Sequence, residues 1–74
     1  MKREDIYAAI DTERLRQEEL HPGWPWDHGT SWRAGRHEVL ESEVREARES
    51  IRTPELREEL IHVASVAVRW LEAL

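Results

Sequence analysis

The sequence predicts an all-α fold, a three-helix chain that completes a helical bundle through homo-oligomerisation. Three observations lead there. Gly and Pro are confined to 22–35 and Pro54, which leaves long stretches rich in Glu, Arg, Leu and Ala. Cys is absent, so no disulfide can support a chain of only 74 residues, a length at which one core is marginal on its own. The apolar residues near the C-terminus also spread beyond the stripe of roughly 100° that a surface helix needs. One domain, 1–74, is expected.

The first helix is expected over about 3–20 and ends at His21-Pro22-Gly23. On a helical wheel Ile6, Ile10, Glu13, Gln17 and Leu20 share one arc, so two polar residues interrupt the face that ought to be apolar. Either that face is irregular and half-exposed, or Glu13 and Gln17 look into a polar cavity. Residues 21–30 read as an ordered loop. Its Trp24 and Trp26, with Trp32 and His28 nearby, offer aromatic faces beside polar groups, suited to stacking a nucleobase or to capping a small core.

The second helix is expected over 31–51, with an apolar stripe of Val39, Leu40, Val44, Ala47 and Ile51. Glu43 projects inside that stripe and Glu46 lies at its edge. A carboxylate on a core-facing stripe is unfavourable by several kcal/mol unless it is paired, hydrogen-bonded or metal-bound. Thr53-Pro54-Glu55 then starts a third helix over 54–74, with Thr53 as N-cap and Pro54 at the first helical position. From Leu56 to Leu74 its apolar residues cover more circumference than two neighbours from the same chain can bury, which points to a second copy across a two-fold interface. Glu59 falls within that apolar arc, and His62 lies outside it toward Ser65 and Arg69.

Glu43 with Glu46, and Glu59 with His62, are i, i+3 pairs. Members of each pair lie about 60° apart around a helix and one turn along it, so two packed helices would converge four ligands on one divalent ion. His62 as a ligand favours Mn²⁺ or another transition ion over the oxygen-seeking Mg²⁺; alternatively it lies outside the metal shell as a base or phosphate contact.

Composition removes other classes. A net charge of −5, from 16 acidic and 11 basic residues that are interleaved, argues against a nucleic-acid binder. No segment has the roughly 18 apolar residues of a membrane span, and Met1-Lys2-Arg3-Glu4-Asp5 has no hydrophobic signal region, so a cytoplasmic protein is expected. Without Cys, a nucleophile elbow or a Gly-rich phosphate loop after a strand, nucleophilic catalysis is disfavoured. His21, His28 and His37 make no zinc pattern with the carboxylates.

At the ligand positions the chain resembles the MazG-like all-α nucleoside triphosphate pyrophosphohydrolases. That family carries Glu-Glu-x-x-Glu on one helix and Glu-x-x-Asp on the next. The corresponding stretches here are Leu40-Glu41-Ser42-Glu43-Val44-Arg45-Glu46 and Leu56-Arg57-Glu58-Glu59-Leu60-Ile61-His62. Ser42 stands for the first Glu of the doublet and His62 for the Asp. Gly23-Trp24-Pro25-Trp26-Asp27 is similar to the family's Gly-Cys-Pro-Trp-Asp loop, and the C-terminal stretch looks like short phage and actinobacterial members. The resemblance covers residues 13–74.

The resemblance implies a homodimer or homotetramer that cleaves a nucleoside triphosphate between its α- and β-phosphates with Mg²⁺ or Mn²⁺. Glu43, Glu46, Glu59 and His62 would hold the metal, with Glu46 and His62 as the catalytic candidates. Arg33, Arg36 and Arg45 are candidates for the phosphates, and Gln17, Trp24 and Trp26 for the base side. The competing reading is a catalytically inactive helical oligomer that serves as a nucleotide- or protein-binding module.

Overall fold

A computed structural model of the chain describes residues 1–20, 22 and 32–72, with the side chains of 32–36 excepted. Three helices account for nearly all of them: α1 (Arg3–Leu20), α2 (Trp32–Glu49) and α3 (Thr53–Glu72). The fold is all-α, with no strand among the described residues. None of these helices is long and apolar enough to cross a membrane. The proposed loop, with Trp24 and Trp26, lies outside the described residues apart from Pro22, which sits in a turn.

Helix ends follow local chemistry. In α1, Glu4 and Asp5 place negative charge at the positive end of the helix dipole, and the Ile6 amide donates to the Lys2 carbonyl. The second helix stops two residues before the expected Ile51. The Ser50 hydroxyl donates to the Glu46 carbonyl at 2.9 Å and the Ser50 amide to the Ala47 carbonyl at 3.2 Å, tightening and closing the last turn. Ile51, expected on the apolar stripe, is therefore past the helix and 98 % exposed. At the next start, the Leu56 amide donates to the Arg52 carbonyl at 2.9 Å, so Arg52 rather than Thr53 takes the cap position. Pro54 falls one place further in, where an amide has no helical partner to lose.

The third helix packs against both others, while α1 and α2 do not approach each other at the backbone among the described residues. Close approach to α3 is helped by Ser65, fully buried, whose hydroxyl donates back to the Ile61 carbonyl at 2.7 Å and so needs no partner from a neighbour. Across α2 and α3, the rings of His37 and Trp70 meet edge-on with centroids 4.9 Å apart.

The enclosed interior is mostly polar. Among the described residues only Ala47 and Val66 are buried apolar side chains, against Glu13, Arg14, Ser65 and Arg69. Much of the α3 apolar arc is half-buried, and Leu60 and Leu71 lie exposed, as do Tyr7, Leu15 and Leu20 on α1. The inward side of α3 instead runs through His62, Ser65, Val66 and Arg69.

Arg14 ties the end of α1 to the end of α3. Its guanidinium donates to Glu72 and, at 2.7 Å, to Glu18, and it holds the Glu72 carboxyl below the usual carboxylate range. Both acids are more than half exposed, so solvent screens the pair. Arg14→Leu is expected to lower stability by about 1 kcal/mol at neutral pH. Because the Glu72 carboxyl titrates low in the folded state, that difference should persist above its ordinary pKa and fade on acidification, as read by urea unfolding at a series of pH values.

Candidate metal centre

Each helix contributes to one cluster. His62, on the inward side of α3, has Nδ1 at 3.5 Å from Oε2 of Glu59, one turn earlier on the same helix, and at 3.6 Å from Oε2 of Glu43 on α2. Its Nε2 lies 3.8 Å from Oε2 of Glu13 on α1. Glu43, Glu59 and His62 each present a ligand atom within 4.8 Å of the others, and all three side chains are largely enclosed.

The acids differ in their compensation. Glu13 is held by Arg16, whose Nε donates to Oε1 at 2.6 Å and Nη2 to Oε2 at 2.7 Å. That fork, aided by His62, keeps the Glu13 carboxyl below its ordinary pKa despite burial. By contrast, Oε2 of Glu43 and Oε2 of Glu59 are enclosed and have no hydrogen-bond partner. Burial pushes the Glu43 carboxyl upward, and the charges of Glu46, Glu59 and Glu13 add to that against the opposing effect of His62.

An imidazole nitrogen and two bare carboxylate oxygens are donors that could hold a divalent metal ion. Glu46 is exposed and outside this trio, near enough to act on Glu43 electrostatically. Gln17 is half-buried and donates to Oε2 of Glu13 at 3.4 Å, so it reaches the cluster through Glu13. Arg45 is exposed on a separate depression with His37, Leu40 and Val44. The side chains of Arg33 and Arg36, like Trp24 and Trp26, lie outside the described set.

Two basic residues that pattern reading overlooked lie near the cluster. Arg16 is the fork on Glu13 and is within electrostatic reach of Glu43 and Glu58. Arg57 lines a groove of about 530 Å³ between α1 and α3, walled by Ala8, Ala9, Thr12 and Ile61, that shares Glu13 and His62 with the cluster. Neither has a sequence signal of its own. Glu13 did have one, as an acid in the middle of the α1 apolar arc.

Comparison with protein-family models, with curated proteins and with solved structures finds no match to this chain. The chemistry of the site therefore rests on its own geometry.

In the presence of a chelator, Glu43→Gln should stabilise the protein at pH 7 to 8 by about 1 kcal/mol, since it removes a partly buried charge that lies among other acids and lacks a hydrogen bond at Oε2. The folded-state pKa of Glu43 lies above its unfolded value, so ionisation penalises the fold as pH rises. The wild-type protein should accordingly draw level with the variant below about pH 4.5, the ordinary carboxyl pKa. Paired urea melts at pH 4 and pH 7.5 measure this.

Proposed function

We propose that this chain is a metal-dependent nucleotide pyrophosphohydrolase of the MazG-like kind, acting on nucleoside triphosphates as a homodimer or homotetramer. The observation that carries the reading is the pair of enclosed, unpartnered oxygens of Glu43 and Glu59, which converge from two helices beside His62. A helical module with merely solvent-facing acids leaves them unexplained, because buried carboxylate oxygens normally have a partner.

Bound by Glu43, Glu59 and His62, Mg²⁺ or Mn²⁺ would neutralise phosphate charge and render a coordinated water more acidic. Glu46, exposed one turn beyond Glu43, would orient or deprotonate the attacking water. Arg57 brings positive charge to the α1–α3 groove, where phosphate oxygens can meet it. Attack at the α-phosphorus with loss of the β,γ-diphosphate gives a nucleoside monophosphate and pyrophosphate.

Assembly is part of the reading. Tyr7, Leu15, Leu20 and Leu71 provide apolar surface for a second copy.

Pyrophosphate release should be measured from a panel of ribo- and deoxyribonucleoside triphosphates, with Mg²⁺ and with Mn²⁺, for the wild type beside Glu43→Ala. Turnover that drops at least about 100-fold in the variant is expected. Absence of turnover in folded, oligomeric wild-type protein would overturn the enzymatic reading in favour of a binding module. Sedimentation velocity should find a dimer or tetramer that Leu71→Glu shifts toward monomer, because the charge would fall in the apolar contact.

A further inference from the structure

The imidazole of His62 lies between two kinds of acid. Its Nδ1 faces the unpartnered oxygens of Glu59 and Glu43 at 3.5 and 3.6 Å. Its Nε2 faces Glu13, whose side chain is only 9 % exposed and is fixed from behind by the Arg16 fork. A neutral imidazole has one donor nitrogen and one acceptor nitrogen. Glu13 lies 3.8 Å from Nε2, so an ion held at Nδ1 together with Glu43 and Glu59 would leave the ring proton on Nε2, on the Glu13 side.

We propose that Glu13 is the outer member of a carboxylate–imidazole–metal relay, which makes Nδ1 of His62 a ligand and gives the centre a preference for first-row transition ions over Mg²⁺. This rests on the metal site of the preceding subsection and adds to it the ligating atom, the residue that orients it and the class of ion.

Two arguments support the relay. Ligating histidines nearly always donate their second nitrogen to a carboxylate, carbonyl or water, which fixes the ring and raises its basicity, and Glu13 is the carboxylate in position on that side. The second argument is the chemistry of the donor set. An imidazole ligand itself disfavours Mg²⁺, which seeks oxygen and gives up water reluctantly.

Arg16 has a defined part in this arrangement. It occupies Oε1 of Glu13 and shares Oε2, so Glu13 is anchored rather than free to swing onto the ion. Glu13 is thus a positioning residue that acts through His62.

The test uses the full chain and Co²⁺ as probe, followed by its visible absorption. Wild-type protein should bind Co²⁺ with an intense low-symmetry d–d band, and a tenfold excess of Mg²⁺ should leave that band in place. Glu13→Gln should retain the helical circular dichroism while its Co²⁺ affinity falls 10- to 100-fold, the usual loss for an outer partner of a ligating histidine. A measurement on wild-type protein covers the case in which that variant fails to fold. In the Zn²⁺ form, long-range ¹H–¹⁵N spectra assigned with His62→Ala should place the proton on Nε2 and the metal on Nδ1. Co²⁺ bound equally well by Glu13→Gln, a metal on Nε2, or displacement of Co²⁺ by equimolar Mg²⁺ would each overturn the relay while the metal site stands. Failure of wild-type protein to bind Co²⁺, with Mg²⁺-dependent turnover intact, would overturn the relay alone; failure to bind any divalent ion would remove both.

Discussion

Three carboxylates crowd one imidazole where, among the described residues, only Ala47 and Val66 are buried apolar side chains, and the rest of the structure accommodates that constraint. Glu13, Glu43 and Glu59 each approach His62 within 3.8 Å. Like charges this close in a partly dry site repel one another strongly. Among the described residues Arg16 hydrogen-bonds Glu13, whereas Oε2 of Glu43 and of Glu59 has no such donor. Purely as packing, hydrophobic residues of similar volume would serve the fold as well or better. The metal site proposed above would supply the missing positive charge.

The third helix is the element through which that site is assembled. It alone touches both neighbours, so the separation of Glu13 from Glu43 depends on how closely α1 and α2 each seat on it. Ser65 and Val66 lie one turn beyond His62 and are among the most deeply buried residues described. A larger side chain at Ser65 would push a neighbour outward, and the imidazole would lose at least one of its acids. Packing at Ser65 and chemistry at His62 are therefore coupled within a single turn of helix. The same seating leaves Leu60 and Leu71 exposed among the described residues.

The all-α architecture was legible in the sequence, and so was the shared direction of Glu59 and His62, because i, i+3 spacing constrains direction whatever the tertiary context; the same spacing did not bring Glu46 into the cluster with Glu43. The helix ends were less so: Ser50 closes α2 through its own hydroxyl and strands Ile51, and propensity does not register that competition. Orientation of α3 was the larger difficulty. An apolar arc wider than one neighbour can cover does not reveal which part turns inward, and pattern reading set His62 with Ser65 and Arg69 outside that arc. In the structure these residues line the enclosed side. Glu13 was visible as an oddity on an apolar arc, but its pairing with Arg16 leaves no trace in periodicity, because an i, i+3 acid–base pair is ordinary on any charged helix.

The uneven compensation among the acids carries the functional argument furthest. An Arg beside Glu43 or Glu59 would relieve the repulsion permanently, as Arg16 does for Glu13, and this charge-rich chain has many positions that could supply one. A guanidinium there would also fill the space between the two bare oxygens and Nδ1 and turn the cluster into a closed ion-pair network. The charge that is left open points at one place, and the charge that is closed lies on the far side of the imidazole. A cluster that had drifted into being as a solvated face would carry no such asymmetry, since each acid would reach water or a neighbouring Arg. Departures from local polar satisfaction are expected to mark functional sites, and the unpartnered oxygens of Glu43 and Glu59 are such a departure, which is why the proposed ion is sought there.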